Sequence, residues 1–180
     1  MSQDRVSEIL FAPEQVSARV SELGEQISAD YAGQELVLVG ILKGAFVFLA
    51  DLIRAISIPL EVDFVAVSSY GDSTRTSGVV RIIKDLEESV EGKHVLIVED
   101  IIDTGLTLKL SYLVDNLIRR KAAGVKICTL LDKPSRRKTD ISADYVGFVI
   151  PDKFVIGYGL DYDGLYRNLP FVGVLREDTG

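Results

Sequence analysis

Apolar residues recur along the chain with two different periods. Val16, Val20, Leu23 and Ile27 are spaced four, three and four apart, the repeat of one helix face. Pro13 suits the first helical position, where its missing N–H goes unused. A helix is therefore predicted over residues 13–31, with its stripe packed on a sheet. Residues 35–41, Glu-Leu-Val-Leu-Val-Gly-Ile, are apolar almost throughout, the pattern of a strand covered on both faces. Residues 45–56 read as a second helix. Residues 60–68 alternate in part and predict a strand, and strand character resumes over 79–86. Between them, 70–78 is polar and rich in Gly, Ser and Thr, so it reads as a mobile loop joining two antiparallel strands. Residues 94–98 form a third apolar run that ends in acids. A long helix follows over 105–123, with Gly124 as its C′ residue. Residues 125–131, 145–150 and 171–175 supply further strands.

Strands alternating with helices predict an α/β fold around a mainly parallel sheet flanked by helices. No repeat, low-complexity tract or linker divides the sequence, and 180 residues suit one domain over 1–180 with a substantial core. A hydrophobic content of 47% excludes a disordered chain.

Composition narrows the function. A net charge of −7 argues against nucleic acid as a partner, while leaving room for a small phosphorylated substrate that needs only a local cluster of donors. No apolar run reaches the length of about 18 residues that a membrane span needs, and the N-terminal residues lack a signal-peptide pattern, so no membrane association is expected. One cysteine, Cys128, permits no intrachain disulfide and fits a reducing, cytoplasmic setting; it reads as a core residue. One histidine and one cysteine exclude a zinc site of the usual type. There is no G-x-S-x-G elbow and no G-x-x-x-x-G-K-[ST] loop, and Gly157 and Gly159 lack the third glycine of a dinucleotide fingerprint.

The chemistry concentrates in residues 95–107, Val-Leu-Ile-Val-Glu-Asp-Ile-Ile-Asp-Thr-Gly-Leu-Thr. A buried strand leads into two adjacent carboxylates, Glu99 and Asp100, at the end of a sheet where α/β folds bind ligands. Asp103, Thr104, Gly105 and Thr107 then open a helix. Unpaired N–H groups and the helix dipole favour an anion there, and Gly105 permits close backbone approach. Singly, Glu99 could be a solvated strand-end charge and Asp103 a plain N-cap. Three acids within five residues, set between an apolar strand and a Thr/Gly turn, suit a sugar phosphate: carboxylates accept from ribose hydroxyls while the turn holds the phosphate.

This segment resembles the phosphoribosyl pyrophosphate signature of the type I phosphoribosyltransferases. Three further segments resemble the hypoxanthine-guanine phosphoribosyltransferases in the same order: Leu42-Lys43-Gly44, Leu131-Asp132-Lys133, and residues 154–167, from Phe154 through Asp161 to Arg167. The resemblance runs from about Val6 to Leu175 and implies the type I fold, with a small hood and a mobile lid loop over about 69–79 that begins at Ser69 and Tyr70. It implies that Asp103 is the catalytic aspartate, accepting or sharing the proton at purine N7. It implies that Glu99 and Asp100 face the ribose hydroxyls and a Mg²⁺, with Thr104, Gly105, Leu106 and Thr107 as the 5′-phosphate loop. Lys133 would reach the exocyclic oxygen of the base, Phe154 would stack on the purine, and Val155 would add backbone contacts. Asp161 would lie near the base and a second Mg²⁺, and Lys43, Gly44 and Arg167 would hold pyrophosphate. In relatives the Lys43–Gly44 peptide can be cis.

The implied activity is transfer of the phosphoribosyl group from phosphoribosyl pyrophosphate to hypoxanthine or guanine, giving IMP or GMP and pyrophosphate, by a homodimer or homotetramer. An ammonium at Lys133 can only donate, so it suits a 6-oxo group and opposes the 6-amino group of adenine. The alternatives are a xanthine-preferring enzyme and a nucleotide-binding regulator on the same fold. The regulator would more naturally carry a basic RNA face, and the short run Arg136-Arg137-Lys138 reads as a solvated loop.

Overall fold

In the computed structural model, residues 5–70, 79–103, 107–134 and 141–176 are described, the side chains of Ser69, Tyr70 and Thr107 excepted. The elements run β1 (Val6–Phe11), α1 (Pro13–Asp30), β2 (Leu36–Ile41), α2 (Phe46–Ala55), β3 (Glu61–Tyr70), β4 (Val79–Lys84), β5 (His94–Ile102), α3 (Thr107–Arg119), β6 (Gly124–Asp132), β7 (Tyr145–Val149), β8 (Val155–Ile156) and β9 (Val172–Leu175). They form a six-stranded sheet in the order β4-β3-β2-β5-β6-β7 and a three-stranded sheet in the order β1-β9-β8.

The large sheet is parallel except at β4, which pairs antiparallel with β3, Tyr70 opposite Val79. Strand alternation divides its apolar residues between two cores. Leu36, Leu38, Leu96, Val98, Cys128 and Leu130 meet the α1 stripe of Val16, Val20, Leu23 and Ile27 and the α2 residues Phe48, Leu49 and Leu52. Val37, Val39, Val95, Ile97 and Ile127 face the other way, against Leu110, Leu113 and Leu117 of α3. Because both faces are covered, the strand sequences are continuously apolar, as a buried parallel strand requires.

Chain order and strand order together locate the functional edge. After β2 the chain passes through α2 on one face to β3; after β5 it passes through α3 on the other face to β6. β2 and β5 are neighbours with their ends in register, Gly40 opposite Val98. The connections therefore diverge above that pair and leave a crevice at the carboxyl ends, the place where doubly wound sheets bind ligands.

Three elements differ from the expectations, one being β8, a two-residue strand that the apolar pattern did not reveal. Gly124 is not the C′ residue of the long helix; it opens β6 opposite His94. α3 stops at Arg119, and Lys121 takes the left-handed conformation at φ 61°. The Lys121 and Ala122 amides donate to Ile118 O and Leu117 O, a Schellman ending with lysine where glycine is usual. The third difference is β1, which the apolar pattern did not reveal because its burial does not alternate strictly. It pairs antiparallel with β9, so chain from both ends of the sequence builds the small sheet, or hood. Phe11 stacks on Phe148 of β7 at 3.9 Å between ring centres, tying the hood to the large sheet. Among the described residues no helix is long and apolar enough to cross a membrane.

Candidate active site

A cleft of about 550 Å³ opens between the carboxyl ends of β2, β5 and β6 and the hood. β5 continues through its acids to Ile102, so Glu99 and Asp100 belong to the strand itself. Both are buried, at 3% and 9% exposure, which removes the reading of solvated strand-end charges. Each carboxylate accepts a backbone N–H: Glu99 Oε1 from Asp100 at 2.9 Å, and Asp100 Oδ1 from Ile101 at 2.7 Å. Burial, then the neighbouring Asp100 charge, pushes the Glu99 carboxyl well above its usual range, and burial also raises that of Asp100. Lys109, on the first turns of α3, also lines the cleft and opposes the rise at Glu99.

β2 delivers the second wall. The peptide bond between Leu42 and Lys43 is cis, one bond earlier than the Lys43–Gly44 bond. Gly44 packs directly against the Asp100 carboxylate, so a Cβ there would collide with it. β6 delivers the third: Lys133 follows Asp132 at the strand end, its amide donating to Ile102 O at 3.0 Å. Its ammonium is 4.0 Å from the Asp152 carboxylate, with the side chain 9% exposed. Lys133 is thus a buried charge at the strand end.

The hood closes the cleft. Phe154 lines it at 52% exposure, edge-on to Tyr162 at 5.8 Å. The Leu175 amide donates to Phe154 O, and Ile156 pairs with Gly173. Ladder alternation therefore turns the N–H and C=O of Val155 away from β9, toward the outer edge of the hood sheet. Arg167 donates to Gly159 O at 2.6 Å and pairs with Asp161 at 2.8 Å, and the other Asp161 oxygen accepts the Gly164 amide. Asp103 lines the cleft just beyond β5.

The structure thus brings Lys43, Gly44, Glu99, Asp100, Asp103, Lys133, Phe154, Val155, Asp161 and Arg167 to one cleft. Thr104, Gly105 and Leu106 lie outside the described residues, as do 71–78 of the expected lid. Thr107 opens α3, and Ser69 and Tyr70 end β3. Lys109, Val67 and Leu160 also line the cleft and carried no signal in the sequence, because only the folded strands and α3 aim them there. Among the described residues, no group of three or more His, Cys, Asp or Glu gathers as a metal cage.

A parallel sheet with ligand groups at its switch point, acids at one strand end and a hood across them define a phosphoribosyltransferase domain, and the family model described as "Phosphoribosyl transferase domain" matches residues 7–163. The chain is 54% identical over 176 residues to the hypoxanthine-guanine phosphoribosyltransferase of Bacillus subtilis, covering 98% of this chain and 97% of that protein. It is 51% identical over 178 residues to that of Streptococcus thermophilus, covering 99% and 98%. A crystal structure of a hypoxanthine phosphoribosyltransferase from Staphylococcus aureus superposes with a TM-score of 0.92 at 51% identity, over 97% of this chain and 94% of that one. Within the type I phosphoribosyltransferases, the chain belongs to the hypoxanthine-guanine phosphoribosyltransferases.

Proposed function

We propose that this cleft transfers the 5-phosphoribosyl group of phosphoribosyl pyrophosphate to N9 of hypoxanthine or guanine, giving IMP or GMP and pyrophosphate in purine salvage. The observation that carries the reading is the meeting of three chemistries in one cleft: a buried carboxylate pair, a buried ammonium and an exposed aromatic face.

Each residue follows from what its group can do. Glu99 and Asp100 accept from the ribose hydroxyls, and the α3 N-terminus with Thr104, Gly105, Leu106 and Thr107 holds the 5′-phosphate. Lys43 and Gly44 offer backbone, and Arg167 its planar fork, to the pyrophosphate. Phe154 supplies a face for the purine to stack on, and the edge-facing backbone of Val155 reads the ring. Lys133 donates to the 6-oxo group. With adenine it would oppose an amino group and leave two buried donors unpaired, at about 1–3 kcal/mol each. Asp103 accepts the N7 proton as N9 bonds to C1′ and pyrophosphate departs. The lid expected to begin at Ser69 and Tyr70 closes over the cleft to exclude water that would hydrolyse the activated sugar.

The donor set fits Mg²⁺ without a protein cage. This ion is commonly held by one or two carboxylates together with substrate phosphates. Glu99 and Asp100 on one side and Asp161 on the other are the residues that would hold it. When bound, it offsets charge on the diphosphate. We place the enzyme in the cytoplasm as one domain over 1–180, assembled as a homodimer or homotetramer.

The test mixes the protein with phosphoribosyl pyrophosphate, Mg²⁺ and, separately, hypoxanthine, guanine, xanthine, adenine and uracil, and follows nucleotide formation. Product from hypoxanthine or guanine and none from adenine or uracil is expected. Product from xanthine alone would move the specificity, and no product from any base would leave a nucleotide-binding regulator.

A further inference from the structure

We propose that Tyr158 is a positioning residue for the diphosphate end of the cleft. Its hydroxyl, held by Asp51 of α2, fixes the turn at residues 157–159, and through Gly159 that turn sets Arg167 and the Lys43–Gly44 loop together. The inference rests on the reading of Arg167 and Lys43–Gly44 as pyrophosphate contacts.

Three successive residues, Gly157, Tyr158 and Gly159, have φ of 94°, 50° and 97°. Glycine adopts that region freely, but a tyrosine does so only where its surroundings hold it. Two contacts hold this one. The Tyr158 amide donates to Leu169 O at 2.8 Å, and its hydroxyl donates to Asp51 Oδ2 at 2.5 Å. The side chain is buried, and burial together with the Asp51 carboxylate pushes the phenol pKa far up, so the hydroxyl stays a donor. The other Asp51 oxygen accepts from Arg54. The carboxylate is thus fixed from two sides on a helix.

Gly159 converts this anchor into geometry at the cleft. Its amide donates to Arg167 O at 3.0 Å, while its own carbonyl accepts from Arg167 Nη1 at 2.6 Å. Backbone and guanidinium of Arg167 are therefore both referred to this one residue. Gly159 also approaches Gly44 O so closely that no Cβ would fit between them, and Gly44 lies in turn against Asp100. A displacement of the turn thus reaches the guanidinium and the loop after β2 directly, and Asp100 through Gly44. Neither Tyr158 nor Asp51 lines the cleft, so neither acts by touching substrate. The purine-facing groups are Lys133, just after β6, and Phe154, just before β8, and neither takes part in the hydrogen bonds and close approaches that fix this turn.

The experiment is steady-state kinetics in both directions with Tyr158→Phe, which removes one hydroxyl and keeps the ring. KM for phosphoribosyl pyrophosphate, and for pyrophosphate in the reverse reaction, should rise about three- to tenfold, the loss of one hydrogen bond's worth of positioning, with purine KM within about twofold. Asp51→Ala should reproduce the effect, and Asp51→Asn, which keeps an acceptor oxygen, should restore near-normal constants. The double variant Tyr158→Phe, Asp51→Ala should be no worse than either single one. Unchanged diphosphate constants in folded Tyr158→Phe, or an equal rise in purine KM, would overturn the proposal. Should Tyr158→Phe not fold, Asp51→Ala is judged by the same two criteria. Arg167→Lys, measured alongside, separates the levels. If it leaves both diphosphate constants unchanged, the pyrophosphate reading falls and this inference with it. If it raises them and Tyr158→Phe does not, only this inference falls.

Discussion

Glu99 is buried beside a second buried carboxylate, and its side-chain oxygen already accepts the Asp100 amide. Such an arrangement is poor for stability when both groups are ionised, and it makes sense as a place kept for cationic and hydroxyl partners. Glu99→Gln keeps the acceptor oxygen and removes the charge. Because burial raises the folded carboxyl above its ordinary value of 4.5, the folded state holds the proton more tightly than the unfolded chain. The penalty is therefore absent below about pH 4.5 and grows as pH rises through the unfolded value toward the folded one. Glu99→Gln should melt higher than the parent at pH 8, with the gap closing toward pH 5, while turnover falls; melting curves of the ligand-free proteins across that range test it. Asp103→Asn belongs to the same scale. It cannot accept a proton, so kcat should drop by about a hundredfold, with substrate KM changing much less. Unaltered turnover would remove the proton-accepting role.

At the scale of elements, the end of α3 shows how local rules and tertiary demands divide the work. A glycine stands three residues beyond the residue that takes the left-handed conformation, and Lys121 occupies the C′ position instead. The left-handed conformation costs a non-glycine residue about 1–2 kcal/mol, partly offset by the entropy that a glycine would lose on folding. The ion pair from Lys121 to Glu91, at 3.5 Å and well exposed on both sides, contributes little. Lys121→Gly should therefore stabilise the protein by about 0.5–1 kcal/mol, a rise of roughly 1–4 °C in Tm, without changing kinetics. Equal or lower Tm would show that the Schellman ending is not strained. The loop after β2 makes the opposite case. Gly44→Ala places a Cβ on the Asp100 carboxylate. It should lower kcat/KM for phosphoribosyl pyrophosphate by at least about tenfold, because misplacements on the order of 1 Å near reacting groups can cost that much.

At the scale of the molecule, the cleft exists because two sheets meet. The large sheet carries Glu99, Asp100 and the lead to Lys133, and the hood carries Phe154 and Val155. The hood is small, and the Phe11–Phe148 stack is one of its ties to β7. Phe11→Ala removes a half-buried ring and should cost about 1–3 kcal/mol. Purine KM should rise in this variant while KM for phosphoribosyl pyrophosphate changes less, which steady-state kinetics with each substrate varied in turn would show. Equal changes in both would mean that the hood and the sheet respond as one body.

How much was legible follows from which forces are local. The apolar period of α1 and the continuous runs of β2, β5 and β6 were readable because the same burial that makes a strand or helix face stable writes its spacing into the sequence. The acids at 99, 100 and 103 were readable because strand, carboxylates and helix start are consecutive. β1 was not, since its partner β9 lies more than 160 residues away and its own pattern is weak. Lys133 and Phe154 met in one cleft only when the sheet order set β6 beside β5 and the hood folded across them. The Tyr158–Asp51 bond spans 107 positions and has no sequence signature at all. The sequence by itself determined the class of fold, the position of the strand that carries the acids and the apolar faces, because those depend on neighbours along the chain. Only the tertiary structure decided which distant side chains share the cleft and which glycines permit backbone to touch backbone, because those are contacts that chain topology makes and local spacing does not record.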